Sequence, residues 1–290
     1  MVESAAVMHP ILFSLGPFAL HSYGLCMALG ILCAYAVLVR LAQRRGIASE
    51  SLSDLVVALV LAGLAGARSF YVAEHWTAQY AADPLAAVRI WEGGLMFYGS
   101  IVFGAAGLVV WCRWRHRSVR EWLDLFAVVV PLGQAFGRIG CFLTGCCHGR
   151  AADTVLSVRY PAHSMPWLEQ VRSGALAPLS DGSLPPRSLP VLPTQLFEAA
   201  GCLALFALLW RLFRRLHPVS EAGKPSRFPG AVAAGYFLGY GAIRFVDEIF
   251  RADERLHFGW FSISQSISVA LWALGLFLLA ALALRRRRAA

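Results

Sequence analysis

The segment Gly133-Gln134-Ala135-Phe136-Gly137-Arg138-Ile139-Gly140-Cys141-Phe142-Leu143-Thr144-Gly145-Cys146-Cys147-His148-Gly149-Arg150 gathers the residue types that do chemistry. It follows directly on the apolar run Leu123 to Leu132, so a membrane helix is expected to run into it. An arginine at membrane depth costs about 3 kcal/mol on insertion scales, so Arg138 is expected to have a task there. Arginine rather than lysine points to phosphate or carboxylate, because the guanidinium fork holds such groups bidentately. The glycines at 133, 137, 140, 145 and 149 suit close helix approach and then a tight turn, with the helix ending near Thr144. Backbone amides exposed at such a turn suit an anion.

A second charged cluster lies downstream. Arg244 and Glu248 are four apart and share one helix face, Asp247 is beside Glu248, and Arg251 follows one turn on. Arg68 sits in another apolar run. These groups either pair among themselves to lock helices, Arg244 with Glu248 for example, or face a cavity that forms a site. The second reading is adopted. Cys141, Cys146, Cys147 and His148 are spaced C-x4-C-C-H, which matches none of the usual zinc patterns built from C-x2-4-C units. They are read as small residues lining a pocket, with no metal ligated; a metal site and a thiol-redox pair are the alternatives.

Other polar groups stand at the ends of apolar runs. Trp91-Glu92-Gly93-Gly94-Leu95-Met96-Phe97-Tyr98-Gly99-Ser100 suggests a broken or re-entrant start to a span, tolerated where protein or a cavity surrounds it. Tyr98 is either an interfacial belt tyrosine or part of the site, and Tyr23 carries the same ambiguity. Gln195 and Glu198 lie one turn apart where the acid complements a helix dipole, and Gln265 has a similar place in the last span.

The elements that must position these residues are membrane helices. Of 290 residues 58% are hydrophobic and 15% charged, against roughly a quarter charged in soluble domains, and the excess falls in blocks of span length. The expectation is an all-α, polytopic single membrane domain over residues 1–290 with about seven spans. They are Phe18–Val39, Leu55–Ala73, Leu95–Trp111, Leu123–Thr144, Thr194–Leu212, Gly230–Phe250 and Ile263–Leu284. The net charge of +9 would suit nucleic acid, but the cations cluster at span ends, which is the membrane pattern. Arg285 to Arg288 anchors the last span among anionic lipid heads. Sixteen Lys and Arg residues fall on one side, counting Arg211 at the very end of its span, seven on the other, Arg255 among the seven, and three deeper within spans. The richer side is expected to be cytoplasmic, which puts the N-terminus outside and the C-terminus inside. No cleavable signal peptide is expected over Met1 to Pro17, which has no Lys or Arg before the apolar run. The long outer connection, about 149–193, is either a flexible loop or an arm over a substrate groove. A short strand is expected at Asp153–Tyr160 and a short surface helix at Met165–Ser173. Seven cysteines are too scattered for a disulfide framework, and Cys26, Cys33, Cys112 and Cys202 lie in or beside apolar helices.

Taken together, the chain resembles the bacterial prolipoprotein diacylglyceryl transferases over nearly its whole length. The resemblance is carried by Tyr23-Gly24-Leu25, by Gly93-Gly94-Leu95-Met96-Phe97-Tyr98-Gly99, and by Gly137-Arg138-Ile139-Gly140-Cys141-Phe142 with Gly145 and Gly149-Arg150. Pro193-Thr194-Gln195-Leu196-Phe197-Glu198 and Gly239-Tyr240-Gly241-Ala242-Ile243-Arg244-Phe245 with Glu248 and Arg251 complete it. No one motif is decisive; their order and spacing are.

The resemblance implies an inner-membrane enzyme that moves the diacylglyceryl group of phosphatidylglycerol onto the lipobox cysteine of a preprolipoprotein signal peptide. It implies a thioether product, release of glycerol 1-phosphate, no metal or organic cofactor and no nucleic acid partner. Arg138, Arg244, Tyr98 and Glu248 are then expected to be catalytic. Arg138, Tyr23, Gly99, Gly140, Cys141, Gly149 and Arg251 are expected to contact substrate. His148 is a further candidate for proton relay. The chain departs from the family pattern where Tyr98-Gly99-Ser100 stands in place of His-Gly-Gly, and where Cys141 replaces the usual Asn. Cys146 likewise stands where the family has an acidic or polar residue. A free tyrosine titrates near ~10, well above a useful base at neutral pH, so proton handling is expected to differ. Other readings are a paralogue with another lipid donor or acceptor, a lipid-binding or transport protein, and a thiol-redox membrane protein. No inverted repeat of the transporter kind stands out.

Overall fold

The computed structural model describes residues 10–15, 18–218, 223–224, 226–252, 257–258 and 260–289. Arg255 and, within Met1 to Pro17, residues 1–9 and 16–17 lie outside the described residues. A hairpin of β1 (Ile11–Leu15) and β2 (Phe18–His21) leads into α1 (Ser22–Arg44), followed by α2 (Ser49–Glu74) and α3 (Phe97–Trp114). Then come α4 (Val119–Thr144), a short α5 (Met165–Arg172), α6 (Thr194–Leu216) and α7 (Ala231–Phe250). A second small hairpin, β3 (His257–Phe258) with β4 (Phe261–Ser262), precedes α8 (Ile263–Ala289).

The seven long helices follow the seven expected spans in order. Five stretches, Ser22–Arg44, Glu50–Glu74, Val119–Thr144, Thr194–Leu216 and Ile263–Arg285, are long and apolar enough to cross a membrane. α3 is the shortest of the seven, and α7 is interrupted by Arg244, Asp247 and Glu248. Leu32, Leu61, Val110 and Phe277 are all more than half exposed, an outer wall suited to lipid tails and not to water. The chain is a multi-pass, all-α membrane protein.

Two local expectations fail. Phe18–His21 is strand, not the start of the first span, because it pairs with Ile11–Leu15. Asp153–Tyr160 is no strand: a turn in which the Ser157 N–H donates to the Thr154 carbonyl at 3.0 Å breaks the extended run. Only isolated bridges remain there, Ala151 and Val158 each to Val191. The short helix expected at Met165–Ser173 is present as α5.

The chain divides into two compact units. One holds α1 from its end beyond Leu38, α2, α3 and the start of α4 as far as Leu123. Within it α2 and α3 meet at glycines: a Cβ on either Gly66 or Gly99 would collide with the other's backbone. The chain between these helices winds through a π-helical turn, Trp76–Tyr80, and two 3-10 turns, Pro84–Val88 and Ile90–Glu92. Arg68 pins that loop. Its guanidinium donates to the carbonyls of Ala86, Ala87, Arg89, Gly93 and Gly94 at 2.6 to 3.1 Å. Arg68 is therefore a structural tie, and its charge is spent on the broken lead-in to α3, where Gly93 and Gly94 both take positive φ (86° and 74°).

The other unit holds α1 up to Leu38, α4 from Asp124, the connection to α6, and α6 to α8. Gly30 faces the Phe136 side chain and the Gly133 carbonyl, so α1 and α4 approach closely. Asp124, fully buried at the start of α4, accepts the Gly230 and Ala233 amides at 2.8 Å each and so caps the N-terminus of α7. The far end of α7 is tied to the segment after α4: the Arg150 amide donates to the Phe250 carbonyl at 2.9 Å, and the Ala252 amide to the His148 carbonyl at 3.3 Å. α4 and α7 are thus fastened at both ends. At α8, Ser262 and Gln265 exchange backbone–side-chain hydrogen bonds as a capping box.

Candidate active site

Fastening α4 to α7 brings their arginines together over α6. Arg138 from α4 places Nε 2.9 Å from Glu198 Oε2, and Arg244 from α7 places Nη1 3.8 Å from the same oxygen. Glu198 itself is 1% exposed. Its Oε1 accepts the Tyr240 hydroxyl at 3.1 Å, whereas Oε2 has ion pairs and no aligned hydrogen bond. One buried carboxylate oxygen therefore stands between two guanidinium groups, where an anion of a substrate would be held.

Arg244 is the more heavily braced of the two. It donates to Glu248 Oε2 at 2.8 Å, to Asp247 Oδ2 at 3.2 Å and to the Ser264 hydroxyl at 2.9 Å. Glu248 in turn accepts the Ser262 hydroxyl at 2.7 Å, which ties the α8 cap to the arginine. The locking pair Arg244–Glu248 is present, as the spacing allowed, but it exists together with the shared carboxylate. Arg138 differs: its side chain is 21% exposed, and its Nε pairs with Glu198 alone among the ion pairs of the described residues.

The turn after α4 forms the adjoining wall. Gly145 and Cys147 take positive φ (77° and 61°), so the chain reverses within three residues. Two side chains of the first turn of α6 hold its carbonyls: Gln195 Nε2 donates to the Cys146 carbonyl at 2.7 Å and the Thr194 hydroxyl to that of Cys147 at 3.0 Å. Gly149 bridges to Arg251, and its amide donates to the Leu192 carbonyl at 2.8 Å. A Cβ there would lie 2.8 Å from the carbonyl oxygens of both Leu192 and Phe250, so only glycine lets the three strands of backbone meet. Gly140 does the same for α1: a Cβ would touch Tyr23 at 3.0 Å and Cys26 at 3.2 Å. Tyr23 thus lies against α4 one turn before Thr144.

His148 is buried with both ring nitrogens engaged, Nδ1 with the Gly149 carbonyl and Nε2 with Glu169, each at 3.0 Å. It fastens α5 to the turn. The rest of the connection packs on itself: Trp167 donates to the Pro185 carbonyl at 2.7 Å, and Gln170 accepts the Leu189 amide at 2.7 Å. Tyr160 reaches back so that its hydroxyl accepts from Gln195 at 3.3 Å, and burial pushes its phenol above the ordinary tyrosine value. Hydrogen bonds from Cys141 and Cys146, with the charge of Arg251, hold the Cys147 thiol below its ordinary value.

Of the residues singled out from sequence, Arg138, Arg244, Glu248, Gly140, Cys141, Gly149, Arg251 and Tyr23 fall in this unit. Tyr98 and Gly99 fall in the other, where Tyr98 is 50% exposed in the first turn of α3 and Gly99 is buried on Gly66. Asp247 came with the charged cluster, whereas Glu198, Gln195 and Thr194 were not among the expected site residues. Two arginines in apolar runs demand buried counter-charge, and that demand was the available signal for Glu198.

The fold and the site define a multi-pass membrane protein with an arginine–carboxylate centre inside its helices. The family model for prolipoprotein diacylglyceryl transferase matches residues 10–281. A phosphatidylglycerol–prolipoprotein diacylglyceryl transferase of Parasynechococcus marenigrum is 34% identical over 245 residues, covering 84% of this chain and 80% of that one. One from Acinetobacter baylyi is 33% identical over 276 residues, covering 93% and 90%. The chain belongs to the prolipoprotein diacylglyceryl transferase family.

Proposed function

We propose that this protein transfers the diacylglyceryl group of phosphatidylglycerol to the thiol of the lipobox cysteine in a preprolipoprotein signal peptide. The reaction forms a thioether and releases glycerol 1-phosphate. The relatives' names state the lipid and the prolipoprotein. The observation that carries the reading is the convergence of Arg138 and Arg244 on Glu198 Oε2.

The chemistry is displacement at carbon: the acceptor thiolate bonds to the glyceryl carbon as the carbon–oxygen bond to phosphate breaks. Charge grows on the departing phosphate, and guanidinium groups fixed beforehand stabilise it. Arg138, partly exposed, offers its guanidinium to the lipid phosphate, and Arg244, held by Glu248 and Asp247, supplies the second positive field. Tyr23, Gly140, Cys141, Gly149 and Arg251 line the place of the headgroup, and the self-packed connection over 149–193 is the arm beside it. Glu248 and His148 already have their hydrogen bonds committed. Tyr98 enters on sequence correspondence alone as a candidate for the thiol proton, with Gly99 beside it.

The enzyme works as one domain of the inner membrane, N-terminus periplasmic and C-terminus cytoplasmic. The test supplies labelled phosphatidylglycerol and a lipobox peptide to membranes holding the protein. A base-stable, thioether-linked product that disappears with Arg138→Ala and with Arg244→Ala supports the reading. Full transfer by Arg138→Ala overturns the phosphate assignment.

A further inference from the structure

Cys141, Cys146 and Cys147 bring their three sulfur atoms within 4.8 Å of one another. The sequence spacing hid this: only the reversal at Gly145 and the left-handed backbone of Cys147 fold the pair back onto the last turn of α4. The triangle is built rather than incidental. Gln195 and Thr194 hold the carbonyls of Cys146 and Cys147, and the Thr144 hydroxyl lies 3.4 Å from Cys146 Sγ and 3.1 Å from the carbonyls of both Gly140 and Cys141.

We propose that Cys141, Cys146 and Cys147 form a three-thiolate site for a soft, thiophilic cation of the copper(I) class. Soft thiolates select such ions. A three-coordinate ion with metal–sulfur bonds of about 2.3 Å sets its sulfurs about 4.0 Å apart, so the triangle closes with shifts below an ångström. No histidine or carboxylate joins the three among the described residues, which disfavours zinc, an ion that ordinarily completes four ligands. Three sulfurs rather than two also speak for an ion over a disulfide, which would leave one thiol aside. Binding exchanges the thiol protons for the metal, and no electron moves. The resulting anionic cluster has cations at hand: Arg251 bridges to Gly149, two residues beyond Cys147, and Arg138 is one turn before Cys141 on the same face of α4.

The test uses the purified full-length protein in detergent, reduced and kept without oxygen, with copper(I) supplied from a competing chromophoric chelator. The expected result is one equivalent retained by the wild type. Retention is lost in the Cys141→Ser/Cys146→Ser/Cys147→Ser variant and kept in Cys33→Ser. Each single serine variant is expected to weaken binding at least tenfold. A second readout needs no variant: copper(I) should protect these three thiols together from maleimide, mapped by mass spectrometry, while the exposed Cys33 stays reactive. Copper retained equally by the triple variant, absence of retention by the wild type, preference for zinc(II), or unchanged alkylation each overturns the site. None of these readouts depends on transferase activity.

Discussion

Glu198 carries two opposing obligations. It neutralises Arg138 and Arg244 at once, and it fills the position that a substrate phosphate would share. Glu198→Gln keeps the shape and removes the charge, leaving two guanidinium groups facing each other inside the bundle. Removing one partner of a buried ion pair costs about 3 kcal/mol, here nearer the low end because Arg138 is 21% exposed. The expected outcome is a lower melting temperature in detergent and transfer reduced at least a hundredfold; wild-type values for both would remove Glu198 from the centre. Arg138→Lys should retain the charge and lose the fork, so the Michaelis constant for lipid should rise more steeply than the turnover number falls. At this scale the arginines were legible because an arginine within an apolar run has few bland explanations. Glu198 was not, because an acid in the early turns of a helix is ordinary. Arg68 misled in the other direction: its carbonyl partners lie in loop backbone, which no residue pattern announces.

Helices here are positioned by what happens at their ends. Asp124 caps α7 at one end, and the hydrogen bonds from Arg150 to Phe250 and from Ala252 to His148 close the other. Gly149→Ala tests this directly. Its Cβ would press on two carbonyl oxygens at 2.8 Å, and backbone cannot yield as a flexible side chain does. Overpacking of this kind costs about 1–3 kcal/mol, and the displaced segment carries the site wall. Reduced transfer with a lower melting temperature is expected, and neither change would mean that the three backbone segments do not meet so closely. In the other unit, Gly66→Leu should separate α2 from α3 and be measured as loss of folded protein on size-exclusion chromatography. Span order, the end of α4 at Thr144 and the short α5 could all be read from apolar runs and turn residues. The two hairpins could not: β1 with β2 and β3 with β4 depend on pairing between short segments, and a few apolar residues look alike as strand or as helix start.

For the molecule as a whole, the distribution of charge makes a prediction that the fold alone does not. Sixteen Lys and Arg residues gather on one side of the expected spans and seven on the other, and short arginine-rich connections resist translocation. That asymmetry predicts the connection over 149–193 outside and the Arg113 to Arg120 connection inside. Asp181 and Arg117 are exposed representatives of the two. In intact cells, Asp181→Cys is expected to react with a membrane-impermeant maleimide, and Arg117→Cys only after the membrane is opened. The unsubstituted protein sets the background from Cys33, which lies within α1. The orientation bears on mechanism: the diacylglyceryl acceptor proposed here is a signal peptide, and its cysteine must reach the Arg138 end of α4, which lies next to the 149–193 connection. Labelling of Arg117→Cys from outside, with Asp181→Cys protected, would invert the molecule and turn its arginine centre toward the opposite compartment.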